Sequence, residues 1–455
     1  MEEEEVSNLL AQFPLNYSEY YNYDELISRM NDFWSSDKKL LGKSTNNIDI
    51  FGYQIGEGSI RILIYGLPHA DEPIGTLTVD LLGKLISSNK DMQKNFTFLL
   101  IPCIDPDGLS LNEGWLKGAF NPKKFFLNRY HRPDEEDIDW SFPVKSKNYN
   151  YTTKIEETKI LIKLIHSFDP HLFTTLHSIQ FSGIHFYFSN NYVTIFDKIE
   201  NFVENSSIPL QRGTPFFIEE DWAYRPGFYR FYTTKEMVTD YIRDNIDIST
   251  LRRGEFSAGY FLQNNPKGMA IVPEMPLYYD LELNNLEKGD KTKEETILES
   301  NRIMLRMIDY IEPMWKNYKQ DFNRTSPHYL RIYEIVENWR KEIKEEMKIT
   351  KREGSKEIAT KSEIYSNEVV VEYNNCNTLG TLHQLVGDSP RIEEGLKKRT
   401  QKQLVDKIES ISLDIESRSK IQYSDINEMM KIQTFSILTS LDFLLKKRKG
   451  KNLTE

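Results

Sequence analysis

The sequence is poor in cysteine, since its 455 residues include only Cys103 and Cys376. Two thiols cannot build a disulfide framework or a cysteine-rich zinc site, so both kinds of scaffold are excluded. Any metal site in this chain must therefore use histidine and carboxylate ligands. Because the chain has only 8 histidines, the search for such ligands is short.

Positive charge and long apolar runs are also scarce. The formal net charge is -11, and a general nucleic-acid binder would need a basic face. No apolar run approaches the ~20 residues of a membrane span. The acidic start MEEEEVSNLL lacks the basic and apolar regions of a signal peptide. We therefore expect a cytoplasmic protein with neither a nucleic-acid nor a membrane partner.

Three short catalytic motifs are absent from the sequence: HExxH, GxSxG and a complete P-loop. The segment LGKST at 41–45 ends like a P-loop, but Asp37 stands where the first glycine is required. Nucleotide binding is therefore not expected at this segment.

The order of the predicted elements is typical of an α/β protein. Residues 59–67 and 96–102 are short apolar runs that predict buried strands, and 74–89 between them has helical spacing. This strand–helix–strand order indicates an α/β sheet. Further strands are predicted at 171–178, 184–189 and 269–275, and further helices at 154–168 and 291–318.

The length fits two domains, or one large domain with an appendage. We predict an N-terminal element at 1–50, an α/β domain at 51–320 and a mainly helical region at 325–455. In the last region the stretch WRKEIKEEMKITKREGSKE at 339–357 is a highly charged predicted helix with little core face, and further helices follow, which is typical of a helical appendage. It could form a homo-oligomer, bind a protein partner or act as a lid.

The stretch GLPHADEPIG at 66–75 places His69 and Glu72 three residues apart. The pair follows a predicted strand and precedes a predicted helix, where open α/β sheets bind ligands. A lone H-x-x-E is common by chance and could be a hydrogen-bonded loop. A catalytic zinc site would need a third protein ligand and one open position.

His177 is the best candidate for that third ligand. It ends the predicted strand 171–178, whereas His171 lies at the opposite end of the same strand. Glu274 is a carboxylate within the apolar strand IVPEMP. Buried carboxylates are rare unless they are paired or bind a metal, so Glu274 is either paired with an arginine or the general base of a metal hydrolase.

At this point the ordered motifs resemble the zinc carboxypeptidases of the carboxypeptidase A type, over roughly residues 50–320. The motifs are PHADEP, IPCIDPDG, LNRYHR, TLHS and PEMP. The resemblance implies an α/β/α sandwich with a mixed, mostly parallel twisted sheet, here followed by the C-terminal helices. It also implies one zinc ion per chain, held by His69, Glu72 and His177, with Glu274 as the general base that activates water.

The resemblance also implies roles for two arginines of the motif NRYHR. Arg132 matches a residue that stabilises the oxyanion, and Arg129 matches a cationic residue of the substrate cleft. The alternative is surface charge pairing with the neighbouring acidic residues Asp134, Glu135 and Glu136.

The segment DIDWSFP at 137–143 departs from the family pattern, because Asp139 and Trp140 stand where an Asn-Arg pair would hold the substrate carboxylate. An aspartate there would repel a carboxylate and could attract an amine. Either the substrate has no free carboxylate beside the cleaved bond, or another arginine replaces the pair. The candidates are Arg225, Arg230, Arg252 and Arg253.

The family's mobile tyrosine has no clear match, and Tyr260 or Tyr241 could fill its place at the substrate. The segment 190–268 is rich in aromatic residues and arginines, notably TPFFIEEDWAYRPGFYRFYTT at 214–234. It could line a pocket or form a packed irregular insertion.

These observations favour a zinc metallopeptidase that acts on a peptide or acyl-amide substrate. One alternative is an amidase or deacylase in a small-molecule or modified-peptide pathway. A second is a non-catalytic binding protein that retains the fold, and a third is a structural protein in which the histidines only pack.

Overall fold

The computed structural model describes residues 3–13, 15–34, 37–213 and 222–450. The strands in this part of the chain are β1 Lys38–Lys43, β2 Asp49–Ile55, β3 Ile60–Gly66, β4 Phe96–Ile101, β5 Val144–Ser146, β6 Tyr149–Tyr151, β7 Leu172–Phe181, β8 His185–Phe188, β9 Ala223–Arg225, β10 Phe228–Arg230, β11 Met269–Tyr279, β12 Lys288–Thr292, β13 Ile358–Thr360 and β14 Gln422–Tyr423. The α-helices are α1 Glu3–Ala11, α2 Tyr23–Trp34, α3 Ile74–Ser88, α4 Lys90–Asn95, α5 Pro106–Leu111, α6 Glu113–Leu116, α7 Pro122–Asn128, α8 Glu156–Phe168, α9 Val193–Glu204, α10 Thr234–Arg243, α11 Ser257–Asn264, α12 Lys293–Tyr318, α13 Tyr329–Glu334, α14 Arg340–Glu353, α15 Lys361–Tyr365, α16 Val371–Gly387, α17 Glu394–Arg418 and α18 Ile426–Arg448.

One mixed sheet contains ten of these strands. Its order is β1, β2, β4, β3, β7, β11, β8, β10 and β9, and β14 pairs with β11 outside this path. The central strands β4, β3, β7 and β11 are parallel to one another. The predicted apolar runs form these strands because the centre of the sheet is covered on both faces. The predicted mixed sheet with a parallel centre is confirmed.

Helices cover both faces of this sheet. Since successive side chains of a strand point to opposite faces, alternate residues of β3 enter two separate cores. Ile62 and Ile64 belong to one core, which includes α3 and α18, and Leu63 and Tyr65 belong to the other, which includes α8 and α11. This arrangement is the α/β/α sandwich that the resemblance implies.

The C-terminal helices pack directly on the sheet region. Helix α18 lies against α3 and α9, and α16 lies against α7. On α18, Gln433 donates a hydrogen bond to the backbone carbonyl of His177 over 2.8 Å and accepts one from the Thr78 hydroxyl over 2.7 Å. The boundaries 1–50, 51–320 and 325–455 stay a prediction, but the third region contributes to the same core as the second.

The two cysteines and the described helices bear on two features that the composition excluded, a disulfide framework and a membrane span. Cys103 and Cys376 are buried and unpaired. Among the described residues, no helix combines the length and the apolar character that crossing a membrane would require. Two π-helical turns, at 335–339 and 366–370, join α13 to α14 and α15 to α16.

Helices α16 and α7 approach each other closely at Gly380. A Cβ atom at this position would lie 1.7 Å from the carbonyl oxygen of Phe126. Because that atom is backbone, it cannot move without displacing α7. We expect Gly380→Ala to lower the free energy of unfolding by about 3 kcal/mol, at the upper end of overpacking effects.

Urea unfolding measures this change, with Gly387→Ala at the end of the same helix as the control. A Cβ at Gly387 would meet only the side-chain amide of Gln401, at 3.0 Å, which can move aside. An unchanged free energy of unfolding for Gly380→Ala would contradict the packing of α16 on α7.

Glu255 is a buried carboxyl group outside the site described below. Its oxygens accept hydrogen bonds from the backbone N–H groups of Thr234 and Phe256 and from the amide of Gln263. Burial raises the pKa of Glu255 to about 7. The folded protein therefore holds this proton more tightly than the unfolded chain does. The contribution of Glu255 to the free energy of unfolding falls as pH rises from the unfolded pKa near 4.5 to about 7.

We expect Glu255→Gln to remove this pH dependence. Relative to the wild type, the variant should gain about 3 kcal/mol of unfolding free energy between pH 5 and pH 8. Urea titrations at the two pH values measure the change, and Glu113→Gln at an exposed position is the control. Equal pH dependence in Glu255→Gln and wild type would show that Glu255 is ionised in the fold across this range.

Candidate metal centre and active-site cleft

Three adjacent parallel strands bring the predicted site residues together. His69 and Glu72 lie between β3 and α3, His177 lies on β7 and Glu274 lies on β11. Strand β7 runs between β3 and β11, and its register pairs His177 directly with Glu274. One detail differs from the prediction: His177 lies inside its strand and not at the end, because pairing with β11 continues to Phe181.

Glu72 lies between the two imidazoles. Its Oε1 is 3.2 Å from Nδ1 of His69, and its Oε2 is 2.9 Å from Nδ1 of His177. The two rings are nearly perpendicular, with centroids 4.9 Å apart. Nδ1 of His177 is buried and, although it lies this close to Glu72, it makes no well-directed hydrogen bond, which is rare in folded proteins. Ligand atoms about 3 Å apart are the spacing that two bonds of about 2.0 Å to one tetrahedral metal ion produce.

Several combinations of these side chains could hold a metal ion. Three overlapping groups of the described residues have suitable spacing: His69, His131 and Asp137; His69, Asp139 and His177; and Glu72, His177 and Glu274. The predicted ligand set is divided between the second and third groups. Every group contains at least one of the two predicted histidine ligands, so a cation held by any group would contact His69 or His177.

An aspartate faces the outer nitrogen of each imidazole. Nε2 of His69 is 3.7 Å from Oδ1 of Asp137, and Nε2 of His177 is 3.8 Å from Oδ2 of Asp139. Metal-binding histidines usually present their second nitrogen to a carboxylate, which fixes the ring orientation. The D-x-D spacing in DIDWSFP is the sequence signal that could have revealed this pair.

Asp139 and Trp140, both predicted to contact the substrate, have different surroundings. Asp139 is buried, and its Oδ1 accepts hydrogen bonds from the hydroxyls of Tyr65 at 2.7 Å and Ser257 at 2.5 Å. Asp139 is not among the described residues that line the cleft, and its contact with a substrate stays a prediction. Trp140 does line the cleft.

The charge of the cluster favours a cation. Burial lowers the pKa of His69 and of His177, but the carboxylates around them outweigh this effect and raise both pKa values above the usual one. Burial tends to raise the pKa of Glu72, but the two imidazoles lower it to about 2. Burial raises the pKa of Glu274 to about 7. The pocket therefore stabilises positive charge, which a divalent cation would supply.

Asp71, which lies between the two ligands in sequence, connects three residues of the cleft. Its Oδ2 accepts from Nε of Arg129 at 2.5 Å and from Nε2 of Gln180 at 3.1 Å. Its Oδ1 is 2.8 Å from Nδ1 of His131. Burial alone would raise the pKa of Asp71, but Arg129 and His131 hold it well below its usual value. Arg129 thus lies in the cleft, where the sequence predicted it.

Arg132 is not brought to the cleft. Its Nε and Nη2 donate to the two oxygens of Asp105, at 2.7 Å and 2.6 Å. This buried pair engages the guanidinium, and Arg132 is absent from the described residues that line the cleft. The predicted role in oxyanion stabilisation is therefore not supported by its position. Its neighbour His131 lines the cleft instead, with its ring centroid 5.5 Å from that of His69.

The predicted substrate tyrosines also lie elsewhere. The ring of Tyr260 packs on Phe142, with centroids 5.2 Å apart, and its hydroxyl is 3.1 Å from Nε2 of His166. Neither Tyr260 nor Tyr241 is among the described residues that line the cleft. Helix α11 carries Tyr260, which packs against the second core, and the prediction that Tyr260 binds substrate stays a prediction.

Only one of the four candidate arginines lines the cleft. Arg253 donates from Nη2 to Oδ2 of Asp134 over 3.0 Å, and its guanidinium lies 5.1 Å from the ring centre of Trp140. The others are paired elsewhere: Arg225 with Asp197 and Glu200, Arg230 with Glu236, and Arg252 with Glu135. Of the predicted pocket segment 190–268, residues 214–221 lie outside the described residues.

A cleft of about 330 Å³ opens beside His69. More than half of its lining residues follow residue 300, on α12, α13, the 335–339 turn and α16. On this outer wall Arg331 donates to the second oxygen of Asp134, at 3.0 Å, and stacks 4.7 Å from the ring centre of Trp339. The sequence did not predict this wall, because the charge of the C-terminal region indicated a helical appendage.

Comparisons with known proteins find structural neighbours only. No family model matches the sequence, and no curated protein matches it. The carboxypeptidase A of Helicoverpa armigera is 15% identical, covers 60% of this chain and 71% of its own, and has a TM-score of 0.37. A metallo-carboxypeptidase of Burkholderia cenocepacia is 13% identical, with 56% and 60% covered and a TM-score of 0.33. Both neighbours are carboxypeptidases, the class that the sequence motifs resemble. TM-scores this low add nothing to the argument from the site geometry.

Proposed function

We propose that this protein is a zinc-dependent hydrolase that cleaves a peptide or amide bond. The observation that carries the proposal is the position of the Glu72 carboxylate between Nδ1 of His69 and Nδ1 of His177. A further carboxylate, Glu274, lies 3.8 Å from the same nitrogen of His177. One member of this constellation, His69, also lines a cleft that can admit a substrate.

The residues fit a zinc ion. His69, Glu72 and His177 would hold it through two nitrogens and one carboxylate, a donor set that catalytic zinc sites use. Nδ1 of His177, which faces Glu72 but makes no well-directed hydrogen bond, supports this assignment. Asp137 and Asp139 would orient the two imidazoles from behind.

The chain's own groups suit hydrolysis of an amide. When bound, zinc supplies Lewis acidity that makes water a nucleophile at neutral pH. Glu274, with its pKa raised by burial to about 7, would accept a proton from water and pass it to the leaving nitrogen. Arg129 lines the cleft and would stabilise negative charge that develops on the carbonyl oxygen.

Metal analysis combined with turnover tests the function. We expect about one zinc per chain, hydrolysis that stops when a chelator removes the metal, and recovery when zinc is returned. The substrate panel should contain peptides with free and amidated C-termini and acylated amines, because it separates a peptidase from the amidase alternative. Hydrolysis that persists without metal would contradict the proposal, and zinc binding without any hydrolysis would favour the non-catalytic alternative.

A further inference from the structure

Helix α16 presents a polar face to the cleft. Asn377 and Thr378 follow Asn374 by three and four residues, which places both beside it on one side of the helix, and all three line the cleft. The other sides carry buried apolar residues such as Leu379 and Leu382. A face of uncharged amides and hydroxyls beside a candidate metal centre has the groups that recognise a polar, uncharged ligand.

A chain of hydrogen bonds orients the amide of Asn377. Asp71 is ion-paired with Arg129, so its carboxylate only accepts, and Gln180 must point its Nε2 toward it. The Oε1 of Gln180 then accepts from Nδ2 of Asn377, over 2.7 Å. The remaining polar atom of this side chain, Oδ1, is therefore an acceptor and not a donor.

This acceptor has no partner among the described residues. Asn377 is 8% exposed, and its Oδ1 is buried without a hydrogen bond. Oδ1 of Asn374, one turn earlier on the same face, is also buried without a hydrogen bond. Buried acceptors without a donor are rare in folded proteins, and each one needs an explanation. Two of them together on the wall of a cleft point to a ligand that supplies N–H groups.

We propose that the α16 face is a peptide-binding wall, on which Asn377 accepts a hydrogen bond from a backbone N–H of the substrate. The assignment rests on the proposed function and names its substrate class as a peptide rather than a small acyl amide. From Asn374 to Thr378 the helix rises about 6 Å, which matches about two residues of an extended peptide. Amides and hydroxyls both donate and accept, as the alternating groups of a peptide backbone require.

The hydrogen-bond chain also links the position of the α16 face to the candidate metal centre. Asp71 lies between His69 and Glu72 in sequence, so Gln180 and Asn377 are connected to the same turn that carries the candidate ligands. The acceptor on α16 is thereby held at a constant distance from the bond to be cleaved. Gln180 is a positioning residue in this scheme, and Asn377 contacts the substrate.

Calorimetric binding to the zinc-loaded Glu274→Gln protein tests the assignment without requiring turnover. The probes are N-acetyl-tetraalanine and its analogues with one N-methylated peptide bond. We expect one N-methylation to weaken binding about tenfold, because it removes the N–H that Asn377 accepts. In Asn377→Leu the parent peptide should bind about tenfold more weakly, and the same N-methylation should then have no further effect.

Two further variants test whether the effect is specific to Asn377 and whether it depends on the substitution chosen. Asn367→Leu changes an asparagine on the helical turn before α16 that donates to Thr296 and is not among the described cleft residues, so it should keep full affinity. Asn377→Ala should repeat the loss if Asn377→Leu does not fold, as judged by circular dichroism.

The possible outcomes distinguish a failure of the peptide-binding assignment from a failure of the proposed hydrolase function. If no probe binds, or if N-methylation weakens binding equally with and without Asn377, the assignment of the wall is overturned. Wild-type turnover of the same peptides is scored independently. Binding that depends on Asn377 without any turnover would contradict the hydrolase alone.

Discussion

Glu274→Gln is expected to lower turnover by about 10³-fold while the protein retains its zinc. The amide has the shape of the carboxylate but cannot accept the proton from water. Glu274 faces the cluster from β11, directly beside His177 in the register, and it lies outside the proposed ligand set. The rate at saturating substrate and the zinc content per chain are the two measurements.

The matched control is Glu255→Gln, which makes the same change at another buried glutamate with a pKa near 7. Glu255 belongs to none of the candidate metal-binding groups of the described residues, so turnover should change little. Undiminished turnover in Glu274→Gln would contradict its role as the base. Loss of zinc from the same variant would instead identify Glu274 as a ligand, as the third group of metal-binding residues allows.

Glu72→Ala should weaken zinc binding by more than about 100-fold, which exceeds the effect of removing residues that only orient ligands. The variant loses the one carboxylate that lies within 3.2 Å of both Nδ1 atoms. The cluster of carboxylates would also attract a cation less strongly. Competition with a chromogenic chelator measures the affinity, and hydrolysis should be lost in parallel.

Asp137→Asn provides the graded comparison for this prediction. Asp137 faces Nε2 of His69 and does not touch the proposed metal position directly, so we expect a loss of about 10- to 100-fold. If Asp137→Asn weakened zinc binding more than Glu72→Ala, the metal would sit in the group formed by His69, His131 and Asp137.

Much of the sheet and of the candidate centre was predictable from local patterns. Continuous apolar runs identified β3, β4 and β11, because strands at the parallel centre are buried on both faces. His69 and Glu72 follow one of these strands, and Glu274 interrupts another. For His69 and Glu72 the location followed from the rule that open α/β sheets bind ligands at the carboxyl ends of their strands.

The segment NRYHR shows what local patterns do not decide. The prediction assigned the oxyanion role to Arg132, but Arg132 is bound to Asp105 and His131 lines the cleft. Neighbouring positions in an irregular segment have no fixed period, so the sequence does not indicate which of them turns inward. The partner chosen by each side chain depends on where Asp71 and Asp105 stand in the folded chain.

The C-terminal helices show the same limit on a larger scale. The charge of this region predicted a helical appendage, whereas Asn377 meets Gln180 across 197 residues of sequence. A polar face on a helix is equally compatible with solvent and with a lined cleft. Only the packing of α16 on α7 decides between the two.

The sequence by itself determined the secondary structure of the central sheet and the kinds of ligand that a metal site could use, because both depend on local burial patterns and on composition. The tertiary structure alone decided which arginine was engaged internally and which aspartates face the imidazoles. It also decided that helices from the end of the chain wall the cleft. These features are contacts between residues far apart in sequence, and each depends on the relative placement of complete elements.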